Sequence, residues 1–226
     1  TLLPEMPIFI HCNGGEARNG GGLHWMSIAD GTFYTDPDIA RFMPEGSVWV
    51  PQPIDLLPRS EVNLDHERPI FVHAPSSDVT KGTEQVIEMF EKAFGPLAHS
   101  PFLRGTLDVY MGKDASLHVV RGTHNDVLSA MWYADAVVDQ ISPLGIYGYA
   151  SVEAMAFGKP TLATLDRNLY PSDCPVIRPS VAKLMELAYN ESARKEYGSL
   201  GRTYVERVHS STVVAKKVLD AYEAVL

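Results

Sequence analysis

From about residue 69 onward, short runs of apolar, β-branched residues alternate with stretches in which apolar side chains recur every three to four positions. That alternation predicts a parallel sheet flanked by helices, since parallel strands need crossover connections and strands covered on both faces read as continuous apolar runs. Strands are predicted over 69–73, 106–110, 117–120, 136–139, 161–164 and 175–177. Between the first two, Val86, Ile87, Phe90 and Phe94 share one face of a helix opened by Gly82-Thr83-Glu84, which assigns them to the core. Further helices are predicted over 123–134, 149–157, 180–190, 191–208 and 210–226. In the last of these, Val214, Val218, Leu219, Tyr222 and Val225 form one apolar stripe.

Residues 1–60 read differently, with Gly20-Gly21-Gly22, several prolines and strand signals only over 8–11, 32–34 and 48–50. Strands so short and so few make no convincing core by themselves. In Val50-Pro51-Gln52-Pro53-Ile54-Asp55 the prolines remove backbone donors and fix an extended path, which predicts an interdomain connector. The expected division is 1–58 and 59–226, with the boundary between about Pro58 and Arg68.

The composition narrows the class. Among 226 residues, 45% are apolar and 21% charged, which excludes disorder, collagen-like repeats and a disulfide-stapled miniprotein. A net charge of −9 argues against nucleic acid as a partner and leaves room for a local anion pocket. Cys12 and Cys174 have no metal-ligand spacing, so no metal site is expected and a reducing, cytoplasmic compartment is. No apolar run approaches the roughly 18 residues that span a bilayer. The start Thr1-Leu2-Leu3-Pro4 is not that of a signal peptide and suggests a processed or trimmed chain.

The segment from Gly145 to Pro160 carries the strongest chemical signal. A predicted strand leads into a glycine-bearing loop and then a helix, whose first amides lack intrahelical partners. Such a helix start attracts phosphate, and Gly148 would allow close backbone approach; a plain strand-to-helix turn fits the same residues. Glu153, about one turn into that helix, suits a ribose diol, and equally suits the positive end of the helix dipole. In Ile70-Phe71-Val72-His73-Ala74-Pro75-Ser76-Ser77, followed by Lys81, a strand ends in hydroxyl residues with a lysine just before the next helix. Lys81 fits a point charge for a diphosphate or a solvated lysine beside a capped turn.

Other chemistries fail on spacing. The sequence Phe157-Gly158-Lys159-Pro160-Thr161 lacks the glycine a P-loop needs five residues before Gly158, where Glu153 stands. Histidines nowhere form a zinc-binding pair, and Ser151 has no glycine two residues to either side, as a nucleophile elbow requires.

Taken in order, these segments resemble the carboxyl-terminal, donor-binding half of a family 4 GT-B glycosyltransferase over residues 47–226. The motifs are the 50–55 linker, His73-Ala74-Pro75-Ser76-Ser77 with Lys81-Gly82-Thr83, Tyr133-Ala134-Asp135-Ala136-Val137-Val138-Asp139-Gln140, Gly145-Ile146-Tyr147-Gly148, and Val152 to Pro160. The resemblance implies a Rossmann-like α/β donor domain at 59–226 and, at 1–58, the tail of an acceptor domain plus linker. It implies retaining, metal-independent hexosyl transfer from a nucleotide-sugar to an acceptor hydroxyl, in polysaccharide or glycoconjugate biosynthesis, with no cofactor besides the donor. Donor contacts then fall on Ser76, Ser77, Lys81, Gly145, Tyr147, Gly148, Tyr149, Ala150 and Glu153, with Lys81 at the diphosphate and Glu153 on the ribose.

Ile8-Phe9-Ile10-His11-Cys12-Asn13-Gly14-Gly15-Glu16-Ala17-Arg18 resembles the family's His-Gly-Ser-Asp-x-Arg strand and loop, which makes His11 a candidate catalytic residue beside Lys81. Three departures stand out: Asn13 replaces the histidine next to the glycine, Gly145 replaces the sugar-contacting glutamate, and Asp78 stands where a basic residue is common. Asp139 is a candidate substitute for the glutamate. The resemblance also implies that roughly 100 to 150 residues of acceptor domain precede Thr1 or belong to a partner subunit, and that the last helix crosses toward them. Two further classes fit: the donor subunit of a split transferase, and a non-catalytic sugar-nucleotide-binding module. The expected location is cytoplasmic, with or without peripheral membrane association, and without a transmembrane segment.

Overall fold

In the computed structural model, which describes residues 6–19, 23–56, 58, 66–102 and 106–224, the chain divides into two units. They are Thr1–Asp55 with Arg207–Leu226, and Leu56–Glu206. Residues 207–226, expected with the second domain, thus group with the first; periodicity marks a helix without saying against which sheet it packs. Gly20-Gly21-Gly22, Val225 and most of the expected 58–68 boundary lie outside the described residues.

In the first unit, β1 (Phe9–Cys12), two short helical turns α1 (Gly15–Arg18) and α2 (Leu23–Met26), β2 (Gly31–Tyr34) and β3 (Val48–Trp49) form a parallel sheet in the order β1-β2-β3. Arg18 holds Asp38 at 2.6 Å and Asp36 at 3.0 Å, and this pairing pins the loop after β1.

The second unit is built on a six-stranded sheet. Its elements in chain order are β4 (Ile70–His73), α3 (Asp78–Lys81), α4 (Thr83–Phe94), β5 (Ala98–Phe102), β6 (Leu107–Met111), β7 (Ser116–Val120), α5 (His124–Tyr133), β8 (Ala136–Gln140), α6 (Tyr149–Ala156), β9 (Thr161–Ala163), α7 (Val181–Tyr189) and α8 (Glu191–Val208), whose last two residues group with the first unit. The strand order is β5-β6-β7-β4-β8-β9. Strands β7, β4, β8 and β9 run parallel, and every residue of β8 is buried, as helices on both faces require. Phe90 packs edge-on against Phe71 at 5.5 Å, and Val86, Phe90 and Phe94 are buried on the helix face that the 3.6-residue period marks.

Two strand expectations are corrected. The 106–110 strand was expected in a parallel sheet, but β6 is antiparallel to both neighbours. Its link to β7 is a tight turn closed by Gly112 N–H to Ala115 O at 3.0 Å, and only antiparallel strands can be joined so briefly. Its outer neighbour β5 escaped the pattern because Ala98-His99-Ser100-Pro101-Phe102 lacks β-branched residues, and its proline suits only an edge. The 175–177 run forms a single bridge, Leu162 to Ile177, rather than a strand, since Pro175 and Pro179 bound it and supply no donors.

The first unit is completed by α9 (Ser211–Glu223). Val214 is buried against Phe33 and Val50, Val218 and Tyr222 pack on the same cluster, and Leu219 stays exposed. The proline connector is tied to this helix start: Ile54 N–H donates to His209 O at 2.8 Å and Ser211 N–H to Ile54 O at 3.0 Å. The His209 imidazole donates from Nδ1 to Gln52 O at 2.8 Å, and burial pushes its pKa down from 6.5 to about 4. The unfolded chain therefore binds the extra proton first, so this contribution is intact above about pH 6.5 and is lost as pH falls toward 4. Unfolding free energy at pH 5 should be about 2 kcal/mol lower than at pH 7 on this account. His209→Asn, which keeps a donor for Gln52, should flatten that share of the dependence in urea titrations; an unchanged slope would remove His209 as its source.

Candidate functional site

The carboxyl ends of β4 and β8, neighbours in the parallel sheet, bring the predicted donor residues together. The β4 strand ends at His73, which is fully buried and neutral: Nδ1–H donates to Val138 O at 2.8 Å, and Nε2 accepts from Thr83 Oγ1 at 2.9 Å. Burial lowers its pKa, so it serves as a peg between strand and helix. Ser76 and Ser77 follow in an exposed loop, and Ser77 Oγ caps α3 by accepting the Thr80 N–H.

Gly82 stands between α3 and α4 at φ 69°, where a Cβ would lie 2.4 Å from Ile141 O. Only glycine tolerates that approach, and Ile141 N–H in turn donates to Lys81 O at 3.0 Å. Lys81 is thereby held against the end of β8. Its Nζ donates to Asp139 Oδ1 at 2.7 Å, and the Asp139 side chain is fully buried.

Asp139 Oδ2 accepts the Gly148 N–H and, at 2.7 Å, the Ser151 hydroxyl. A resident carboxylate thus takes up the start of α6, where the sequence placed a ligand phosphate. A Cβ at Gly148 would lie 2.4 Å from Lys81 Nζ and 3.0 Å from Asp139 Oδ2, so a side chain there would displace the lysine head from this position. Asp139 is therefore bonded within the protein in the position proposed for a sugar contact.

Glu153, only 4% exposed, accepts from His124 Nε2 at the first residue of α5. No spacing rule pairs residues 29 apart, and His124 went unpredicted. Beside it lies a cleft of about 410 Å³, lined by the 74–78 loop, Arg121, Gly122, His124 and Val127. Tyr149 is 40% exposed at the start of α6, and Ala150 is half-buried behind it. Tyr147 turns the other way. Its ring stacks on Tyr170 at 4.6 Å, its hydroxyl meets that of Tyr204 at 3.1 Å, and burial raises its pKa well above the ordinary tyrosine value. Of Tyr147, then, only the backbone belongs to the loop before α6.

His11 belongs to the first unit, where it stacks on Phe33 at 4.5 Å and meets the Tyr222 hydroxyl at 3.3 Å. Lys81 belongs to the second. Asn13 accepts the Thr35 hydroxyl at 2.9 Å.

No protein-family model matches the chain, and no curated protein matches it in sequence. Solved structures do match. TarM is 14% identical, with a TM-score of 0.59 over 88% of this chain and 45% of its own. The lipopolysaccharide outer core galactosyltransferase WaaB is 11% identical, with a TM-score of 0.58 over 88% of this chain and 63% of its own. The fold is that of GT-B glycosyltransferases. Accessory secretory protein 1, 2 and 3 of Streptococcus pneumoniae matches at 11% identity and a TM-score of 0.56, over 99% of this chain and 50% of that structure's. The chain thus spans between 45% and 63% of the length of these three structures.

Positions 145 and 78, where the sequence differs from the motifs it resembles, have physical reasons in this structure. Gly145 has φ 67° and its carbonyl accepts the Asp166 N–H at 2.9 Å, so a side chain there would run into Asp166, whose Cβ lies 3.0 Å from the ideal Cβ position. Asp78 is paired with Arg121, which also reaches Asp108 at 2.6 Å, and the guanidinium holds the Asp78 carboxyl below its ordinary pKa. Arg121, at the end of β7, lines the cleft together with Asp78. Among the described residues, no helix is long and apolar enough to cross a membrane.

Proposed function

We propose that the chain is the donor-binding part of a retaining, nucleotide-sugar-dependent glycosyltransferase, acting on an acceptor hydroxyl with an acceptor domain supplied elsewhere. The observation that carries this is the placement along α6. Gly148 and the Lys81 ammonium meet at its start, and Glu153, about 7 Å further along the helix axis, is bonded to His124, which lines a cleft of about 410 Å³. A ribose on Glu153 would direct its diphosphate to the start of α6 and the sugar toward Gly145 and Asp166.

An ammonium has three donors, and Asp139 takes one of those of Lys81. The others would stabilise charge developing on the departing diphosphate, so the reading invokes no metal. Ser76 and Ser77 would supply hydroxyls at the mouth of the cleft. Cys12 and Cys174 are buried and form no disulfide, which suits a cytoplasmic setting in polysaccharide or glycoconjugate synthesis.

Calorimetric titration with UDP, GDP, ADP and their sugar conjugates tests the reading. Saturable binding of one nucleotide is expected, weakened about tenfold or more by Glu153→Ala and by Lys81→Ala, as loss of a charged hydrogen bond implies. Absence of binding by every nucleotide would end it. Self-neutralisation of Lys81 by Asp139 favours a second reading, a sugar-nucleotide-binding module without transfer. Transfer or hydrolysis of a sugar nucleotide above background excludes that module.

A further inference from the structure

Glu153 sits among buried neighbours: every residue of α6 from Ser151 to Ala156 is buried, and Val152 and Ala154 flank it. A carboxylate so enclosed costs stability unless it is hydrogen-bonded. His124 provides that bond from the opposite side, with a side chain 65% exposed in the cleft that also borders Ala74, Ser76 and Ser77. The backbone that carries the imidazole is anchored. Thr123 and Asp126 form a reciprocal capping box, in which Thr123 N–H donates to Asp126 Oδ2 at 2.8 Å and Asp126 N–H to Thr123 Oγ1 at 3.3 Å. The backbone that carries His124 is therefore fixed at the first residue of α5, on the rim of the cleft.

We propose that His124 is the positioning residue for Glu153: by holding Oε1 it fixes the rotation of the carboxylate and leaves Oε2 as the acceptor for the ligand's ribose hydroxyl. The inference rests on the donor-site reading above and adds the residue that sets ribose recognition within it. A hydrogen-bonded pair needs only a donor at Nε2, which neutral imidazole supplies and which the glutamine side-chain amide supplies at a similar reach. An ion pair that merely joined α5 to α6 would affect all ligands alike; a positioned acceptor distinguishes ligands by the hydroxyl it meets.

The test compares the 226-residue chain with its His124→Ala, His124→Gln and Glu153→Ala variants, titrated with UDP, GDP and ADP and with the 2′-deoxy form of the nucleotide that binds. The wild-type chain should prefer the ribonucleotide by about tenfold. His124→Ala should weaken ribonucleotide binding to a similar degree, leave 2′-deoxynucleotide binding unchanged and so bring the ratio near one. His124→Gln should restore the preference. Because the side chain is largely exposed, thermal unfolding should show all His124 variants folded. Equal weakening of both nucleotides, or an unchanged ratio in His124→Ala, overturns the proposal. If the wild-type chain binds a nucleotide and Glu153→Ala weakens it, such a result leaves the donor site standing; if it binds none, both fall together.

Discussion

Asp139→Ala should destabilise the second unit by about 3 kcal/mol, the range expected when one member of a buried pair is removed. One carboxylate here serves the Lys81 ammonium, the Gly148 N–H and the Ser151 hydroxyl, and its side chain has no solvent exposure. Alanine would leave a cation and two donors facing one another at the helix start. Asparagine retains a single acceptor and two added donors, so Asp139→Asn should lose less, while Ser151→Ala, which removes only one of the three partners, should lose about 1 kcal/mol. Urea unfolding followed by hydrogen exchange in β8 resolves the three variants. A loss below about 1 kcal/mol for Asp139→Ala would show that the pair is not a determinant of the fold.

Introducing a glutamate, Gly145→Glu, should cost about 3 kcal/mol and, on the proposed glycosyltransferase reading, produce no gain in sugar transfer. A left-handed conformation costs a residue with a Cβ about 1–2 kcal/mol, and overpacking adds about 1–3 kcal/mol. Both conditions hold, since φ is 67° and the ideal Cβ lies 3.1 Å from the Asp166 N atom, which is itself tied to the Gly145 carbonyl. The neighbour is backbone and cannot swing aside as a flexible side chain could. Thermal unfolding with a parallel transfer assay checks this. A stable Gly145→Glu variant with higher activity would mean that the 145–148 loop is plastic and that its glycine is not dictated by Asp166.

The core-facing stripe of α4 was legible because a helix repeats every 3.6 residues, whatever it packs against. The pegs of the site were legible too. Gly82 opens α4 and Gly148 opens α6, and both prove to be positions where a Cβ would meet another atom at 2.4 Å. The partners of those pegs were hidden. Lys81 and Asp139 are 58 residues apart, and only the adjacency of β4 and β8 in the sheet brings them together. Arg121 and Asp78, 43 residues apart, meet because β7 lies on the other side of β4.

Sequence by itself therefore determined the α/β class, the main helices, the central parallel strands and the strand ends at which the candidate site lies, because periodicity and turn chemistry are local properties of the chain. Tertiary structure alone decided the antiparallel β5–β6–β7 edge and the turning of Tyr147 into a tyrosine cluster. It also decided that Asp139 fills the helix start and that His124 holds Glu153. Each of these depends on which elements become neighbours, and that choice is made by the packing of whole faces rather than by any short run of residues.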